Sequence, residues 1–483
     1  MAVTRFLLND REVSAAESAG LLVLDYLRHH RRLTGTKEGC KEGDCGACTV
    51  LIGELEGEAV SYRPITSCLM PLGELTGRHL VTIEGLNLPE LTPVQQAIVD
   101  EGASQCGFCT PGIVVSLTGL SMSAEAPVDG AGVRRALSGH LCRCTGYRSL
   151  KAAGEQAGAV VGERTGVPAL VADGRLPKYF LEVPTQLRQL QDRIQAEEAE
   201  PAASAAPAIL AGGTDLYVQR GEDLPDVDVT VLNASPDNAM RGIERQNGHL
   251  RVGALTTFEE FAEHPEVRQS IPRIDDYMHL IASWQIRNRA TLGGNVINAS
   301  PIGDMTVLLL ALGSELVLRD AAGETRTVPM RSFYRGYKVL DKQPDEVLTE
   351  LLIPWLDTAT RVGWEKVSKR KCLDIASVNC AGRLRVTNGR FEAVGLAAGG
   401  VAPVPLVLAE TERYLLGAPV DHSTVEGALA VAQSEIAPIS DVRGSADYKR
   451  LLTHQLLIAL FCEAFPERLS AADFMAAAVG GGI

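Results

Sequence analysis

Eight of the eleven cysteines lie before residue 145, and they lie in two quartets. The stretch GCKEGDCGACTV puts Cys40, Cys45 and Cys48 within nine positions, and Cys68 follows after 19 intervening residues. The second quartet is Cys106-Gly-Phe-Cys109 with Cys142-Arg-Cys144, with 32 residues between the two pairs. No other feature limits the fold so tightly, because each quartet must be folded so that its thiols meet. Thiols clustered in this way suit metal ligation better than disulfides in a reducing compartment. The opening MAVTRFLLND alternates like a strand, and the expectation is a cytoplasmic chain without a signal peptide or a membrane span.

The spacing C-x4-C-x2-C…C is the plant-type pattern for a [2Fe–2S] cluster. Two irons need four thiolates, and a loop that wraps them must aim three inward along a tight path. Glycines let that backbone come close and turn through positive φ, and its N–H groups can donate to sulfur. Strand-like stretches at 3–8, 48–53, 58–63 and 80–84, with a helix near 18–30, predict a β-grasp plant-type ferredoxin domain. A structural zinc site is the alternative, although zinc favours paired C-x2-C halves. The second quartet is flanked by helical patterns at 93–101, 111–120, 130–138 and 147–161, with Pro111 early in its helix. Helix-end turns there could bring two thiolates to each of two irons; zinc again is the alternative.

Residues 37–68, QCGFCTPG (105–112) and GHLCRCTGY (139–147) together resemble the iron–sulfur half of the xanthine oxidase/dehydrogenase family of molybdenum hydroxylases. That resemblance implies two [2Fe–2S] clusters, held by Cys40, Cys45, Cys48 and Cys68 in the ferredoxin-like domain and by Cys106, Cys109, Cys142 and Cys144 in a four-helix domain. It also implies that the second cluster lies nearer the molybdenum cofactor, with Gln105 beside the pterin.

Two glycine-rich turns follow. An apolar strand, Ala208 to Ala211, runs into Gly212-Gly213-Thr214-Asp215, and RNRATLGGNVINASPIGDM spans 287–305. Such turns present backbone N–H groups to an anion, although the first by itself could be a plain turn; neither is a Rossmann fingerprint. Ser300 and Asp304 can bind hydroxyls or amides. Both turns resemble the FAD-binding loops of the same enzymes, in a flavin domain of the VAO/PCMH type. The resemblance implies that Ile209, Leu210, Ala211, Gly212, Gly213, Thr214, Asp215 and Leu216 cradle the diphosphate. Thr291, Leu292, Gly293, Gly294, Asn295 and Asp304 would hold the rest of the dinucleotide, with Leu348 and Lys366 also at the flavin. Ile281 stands where many relatives carry an aromatic over the ring, and Leu373 where some carry an acid. Tyr337 matches a tyrosine near the nicotinamide pocket. Each also has a plainer reading: Lys366 solvated, Leu348 core, Asp304 a helix cap, Tyr337 packing. Cys372, Cys380 and Cys462 read as incidental thiols. The histidines lack ligand spacing, and His29, His30 and His140 read as surface residues.

The expected class is an α+β multidomain chain. Its domains are 1–85 (ferredoxin-like), 86–162 (helical), a 163–180 linker, 181–357 (flavin) and 358–470. The last is an α+β flavin C-terminal module: strand-like 361–369, helix-like 373–379, strands near 381–401, helices 423–436 and 448–464. Earlier, 181–200 reads as a polar helix and 201–208 as an Ala/Pro-rich loop. The linker predicts a C-terminal half that binds flavin by itself. A net charge of −14 argues against a nucleic-acid partner. Nothing in the chain resembles a molybdopterin domain. The resemblance therefore implies an electron-transfer subunit, using FAD with NAD as acceptor. Its partner would be a large molybdopterin-binding subunit of a xanthine dehydrogenase, in an α2β2 heterotetramer. An aldehyde, carbon monoxide or N-heterocycle oxidoreductase is the sibling alternative, and a zinc-bearing scaffold the non-enzymatic one.

Overall fold

The computed structural model describes residues 3–123, 128–160, 166–197, 208–234 and 238–474. The chain divides into two compact units, Met1–Asn238 with Ala282–Ala290, and Ala239–Ile281 with Thr291–Ile483. This division cuts across the expected flavin domain: its first strand and the segment 282–290 fold with the cysteine-bearing domains.

The first unit begins with a five-stranded sheet: β1 (Thr4–Leu8), β2 (Arg11–Ala15), β3 (Thr49–Glu56), β4 (Ala59–Thr66) and β5 (His79–Val81), in the order β2-β1-β5-β3-β4. β1 runs parallel to β5 while the other pairs are antiparallel. This is the expected β-grasp, with β2 as a strand that the sequence reading passed over. The helix near 18–30 is shorter than its pattern, an α-turn Val23–Asp25 continued by a π-turn Tyr26–His30. Val23, Tyr26 and Leu27 pack on Phe6, Val50, Ile52 and Leu80. The other face of β3 is buried too, with Leu51 joining Val115, Leu170 and Phe180, so β3 opens on the apolar run Val50-Leu51-Ile52 rather than alternating.

Four helices follow, α1 (Pro93–Asp100), α2 (Thr110–Ser123), α3 (Gly130–Leu137) and α4 (Arg148–Val160). Thr92 and Gln95 form a capping box on α1, and Asp129 caps α3. Every residue of α2 from Gly112 to Met122 is buried, which makes it the central helix.

The expected linker is different. Residues 163–165 lie outside the described ones, but Val167–Ala172 is a helix and Lys178–Leu181 a 3₁₀ turn. Leu170, Leu176 and Phe180 are buried against the sheet. Its glycines and prolines punctuate packed turns; they do not mark a solvated tether. The polar helix is Val183–Glu197, whose Leu187 and Leu190 pack on Leu7 of β1. The Ala/Pro loop at 201–207 lies outside the described residues. Strand Ala208–Leu210 then pairs in parallel with Val229–Val231.

The second unit holds a five-stranded antiparallel sheet, Ile243–Gln246, His249–Gly253, Val347–Pro354, Glu315–Arg319 and Thr325–Pro329, hydrogen-bonded in that order. It also holds the C-terminal module, with strands Thr360–Val367, Val378–Thr387, Arg390–Gly399 and Leu406–Val407. Helices Ala409–Leu415, His422–Glu435 and Ala446–Ala464 accompany them. The helix expected at 373–379 does not form. Leu373 takes a φ of 53°, and the carbonyl of Asp374 accepts from Lys366 Nζ at 2.8 Å. Among the described residues no helix is long and apolar enough to cross a membrane.

Candidate electron-transfer site: two thiol quartets and two glycine turns

The β3–β4 hairpin sets the first quartet. Its register opposes Thr49 to Thr66, so Cys48, one residue before β3, comes level with the turn Ser67–Leu69 that carries Cys68. Ser67 Oγ donates to the Cys48 carbonyl at 2.7 Å and fixes the junction. Cys40 and Cys45 lie on the loop before β3. All eleven cysteines are free thiols. Within this quartet they stand in twos: Cys40 touches Cys45, and Cys48 touches Cys68. The Cys45 thiol donates to Cys40 and holds it down to about 5, helped by backbone N–H groups of Glu42, Cys45 and Asp44. The Cys68 thiol likewise donates to the buried Cys48 and lowers it. Each pair thus favours a thiolate, the form that binds metal.

The second quartet sits at helix ends. Cys106 and Cys109 precede and open α2, while Cys142 and Cys144 lie between α3 and α4. They too stand in twos, Cys106 with Cys144 and Cys109 with Cys142. The Phe108 N–H and then Cys144 lower Cys106, while burial pushes Cys109 up to about 12. Tyr147 Oη accepts from Cys142 N at 2.9 Å and donates to the His140 carbonyl at 2.9 Å, closing the loop. Gln105 is exposed and its Nε2 donates to the Cys144 carbonyl at 3.4 Å. Among the described residues no three His, Cys, Asp or Glu side chains gather around one point suited to a single metal ion. Within each quartet the pairs also lie in range of one another, Cys40 with Cys48 and Cys68 and Cys106 with Cys109 and Cys142, which supplies the four thiolates that a diiron centre needs. The residues present therefore fit the clusters.

His140, read from sequence as a surface residue, is buried at 2% exposure. Burial lowers it to about 3, so it is neutral. His29 and His30 are exposed, as expected.

The two glycine turns use their backbones differently. In the first, Arg289 Nη2 takes the carbonyl of Gly212 at 2.6 Å, while Glu74 Oε2 holds the same nitrogen at 2.9 Å. The carbonyls of Gly213 and Asp215 accept from Tyr217 N and Gln219 N. In a trans peptide the N–H points away from the carbonyl. Inward carbonyls at Gly212 and Gly213 therefore turn the N–H groups of Gly213 and Thr214 the other way, as an anion cradle requires. A Cβ on Gly212 would stand 2.1 Å from the Arg289 carbonyl, so only glycine fits. The strand before this turn shares an apolar cluster with the first quartet: Ala208, Leu210 and Tyr217 pack with Cys48, Cys68 and Leu69.

The second turn is spent internally. Leu292 N donates to Thr256 O, Gly293 N to Ala254 O and Asn295 N to Thr291 O, and Gly294 N donates to Thr291 Oγ1 at 3.1 Å. The backbone donors of 292–295 thus already have acceptors; Gly293 serves close packing, 2.7 Å from Ala254 at its would-be Cβ. Asn295 Oδ1 accepts from Thr306 N at 3.0 Å, bracing the helix that Asp304 begins.

Lys366 is not solvated. Its ammonium bonds Asp304 Oδ2 at 2.7 Å, Leu280 O at 2.9 Å and Asp374 O at 2.8 Å, which fills its three donors. Burial pushes the Asp304 carboxyl above its ordinary range and Lys366 offsets part of that. Asn379 Nδ2 donates to the other oxygen at 2.6 Å, so Asp304 does more than cap a helix. Leu348 is buried in its strand opposite Leu318, Ile281 is buried, and Tyr337 is 63% exposed. Cys380 is buried, with Cys372 and Cys462 intermediate. Sequence reasoning missed Glu74 and Arg289, buried charges whose partners come from distant stretches, and neither carries a local signal.

Four family models match in order along the chain. They are a 2Fe-2S iron-sulfur cluster binding domain at 6–73, a [2Fe-2S] binding domain at 82–155, the FAD binding domain in molybdopterin dehydrogenase at 179–356, and the CO dehydrogenase flavoprotein C-terminal domain at 365–464. Fold and site define an electron-transfer chain with two [2Fe–2S] domains and an FAD domain. Xanthine dehydrogenase 1 of Arabidopsis thaliana is 28% identical over 92% of this chain, which spans 38% of that relative's length. The structure of a Cu,Mo-CO dehydrogenase is 30% identical over 54% of this chain and 90% of its own, with a TM-score of 0.50. The carbon monoxide dehydrogenase of Hydrogenophaga pseudoflava is 29% identical over the same shares, also with a TM-score of 0.50. The chain belongs to the molybdenum hydroxylase family.

Proposed function

We propose that this chain is the electron-transfer component of a xanthine dehydrogenase. It would take electrons from a molybdopterin-binding partner that oxidises hypoxanthine or xanthine to urate, and deliver them to NAD+. The observation that carries the reading is the pairing of all eight N-terminal thiols, 40 with 45, 48 with 68, 106 with 144 and 109 with 142. When bound, the clusters supply single-electron carriage and the flavin joins single electrons to hydride chemistry.

The chain's own residues divide the work. Cys106 and Cys144 are exposed beside Phe108 and Leu141, which suits an entry face for a partner. The Cys48–Cys68 pair packs with the strand that leads to the Gly212 turn, which suits exit toward flavin. We assign the flavin diphosphate to the N–H groups of Gly213 and Thr214. Contacts from Ile281, Thr291–Asn295, Asp304, Leu348 and Lys366, and a nicotinamide role for Tyr337, are proposed on the family resemblance alone. Xanthine is favoured over carbon monoxide because the xanthine dehydrogenases match 92% of the chain and the carbon monoxide enzymes 54%.

The test is purification from native cells with iron, molybdenum and flavin assayed together. The reading expects four irons and one FAD per chain, a co-purifying molybdenum subunit in an α2β2 complex, and xanthine-driven reduction of NAD+. Turnover of aldehydes or N-heterocycles without xanthine would shift the substrate assignment, and a flavin-loaded chain without a large partner would sink the complex.

A further inference from the structure

We propose that Gln285 is a positioning residue that clamps the seam between the two cysteine loops. The seam is a direct backbone contact. Leu141 N, next to Cys142, donates to the carbonyl of Cys45 at 3.0 Å. Gly46 lies flat on the second loop: a Cβ there would stand 2.4 Å from the Gly139 carbonyl and 2.5 Å from His140 Nδ1. The shortest covalent and hydrogen-bonded route from one quartet to the other therefore runs through one hydrogen bond.

Gln285 belongs by sequence to the flavin-domain match at 179–356, yet it folds into the first unit. It is fully buried. Its Nε2 donates to Ser116 Oγ on α2 at 2.9 Å and to the Ala136 carbonyl on α3 at 2.9 Å, and it lies 3.2 Å from His140 Nε2. Ser116 Oγ also meets His140 Nε2 at 2.7 Å. The amide oxygen of Gln285 presses on Gly139, 2.1 Å from its would-be Cβ. One side chain thus fixes two helices and both residues that precede Leu141. The neighbouring Ile286 leans on Gly43 of the first loop, 2.7 Å from its would-be Cβ. Two nitrogen donors satisfied inside a closed core leave no tolerance for a carboxylate of the same shape.

The claim rests on the eight thiols being cluster ligands, and the test separates the two. Gln285→Glu in the full chain keeps shape and removes the donor. The expected result is a weakened magnetic interaction between the two reduced centres in paramagnetic resonance, with roughly tenfold faster hydrogen exchange at the Leu141 amide and iron and flavin contents unchanged. Exchange and interaction both unchanged in an iron-loaded variant overturn the clamp. Should Gln285→Glu fail to load iron, Ser116→Ala takes its place under the same criteria. A wild-type chain that holds no iron overturns the ligand assignment instead, and the Leu141 exchange rates of wild type and variant still decide the clamp.

Discussion

The two quartets solve one chemical problem on different frames. The first hangs on a β-hairpin and a tight loop, with Cys48 and Cys68 at 2% and 1% exposure. The second hangs on helix ends, with Cys106 and Cys144 in solvent. A hairpin fixes its ends by register, so Cys48 and Cys68 are sealed in the sheet's own core, while Cys40 and Cys45 on the loop are half-buried. Helix-end turns project from a bundle and leave one edge of the centre open. The Cys48–Cys68 side of the first quartet is built into the fold, whereas the Cys106–Cys144 side of the second is built onto it.

That contrast is broken most directly by exchanging one thiol in each. Cys48→Ser should remove one paramagnetic centre and destabilise the chain by about 2–4 kcal/mol, because an unpaired polar group then sits in the core that the metal had organised. Cys106→Ser should remove the other centre and leave the unfolding midpoint close to wild type. In the assembled complex it should abolish flavin reduction by xanthine and spare reduction by NADH. Equal loss of stability in the two variants would show that the frames do not differ as described.

The cysteine spacing made both quartets legible, because ligand number and loop closure leave few alternatives. Four of the five β-grasp strands and the four helices were legible from local hydrophobic pattern, whereas β2 was not. What stayed hidden depends on distant partners. Residues 166–180 read as linker although Leu170, Leu176 and Phe180 fill a core. His140, flanked by glycine and cysteine loops, gave no sign of burial. The pattern LDIASVN reads as helix, but Lys366 claims the Asp374 carbonyl that a helix would use. Above all, residues 282–290 sit inside the flavin stretch and yet fold with the cysteine domains, a fact no local pattern encodes.

The same displacement reverses one expectation and gives a second, smaller effect. A fragment starting near residue 170 keeps Arg289 but lacks Glu74, and so loses the carboxylate that aims Arg289 at Gly212. It should bind FAD poorly or not at all. The point version, Glu74→Gln in the full chain, removes one charged hydrogen bond. At about 1.5–3 kcal/mol for such a bond, flavin should dissociate roughly ten- to a hundredfold more readily, with both iron centres retained. Flavin titration by fluorescence quenching reads this, and an unchanged affinity would detach the flavin turn from the sheet that frames the sealed quartet.

The smallest effect tests the sealed frame alone. His79 on β5 is fully buried, its Nε2 facing the Asn9 carbonyl at 2.8 Å and its Nδ1 the Tyr62 hydroxyl at 2.8 Å. The carbonyl can only accept, so Nε2 carries the proton and Nδ1 accepts from Tyr62. Burial lowers this histidine to about 4, from 6.5. Between those values the unfolded chain binds the extra proton and the folded chain does not, so stability rises with pH and is lost as pH falls from 6.5 toward 4. At 1.36 kcal/mol per unit, the fall from pH 6.5 to 5 removes about 2 kcal/mol. His79→Gln lacks that proton. The stability gap between wild type and variant, from denaturant midpoints at the two pH values, should therefore narrow by about 2 kcal/mol at pH 5. A gap that stays constant would mean that the sheet opens to water around His79 well before it unfolds, and that the first quartet is less sealed than its burial implies.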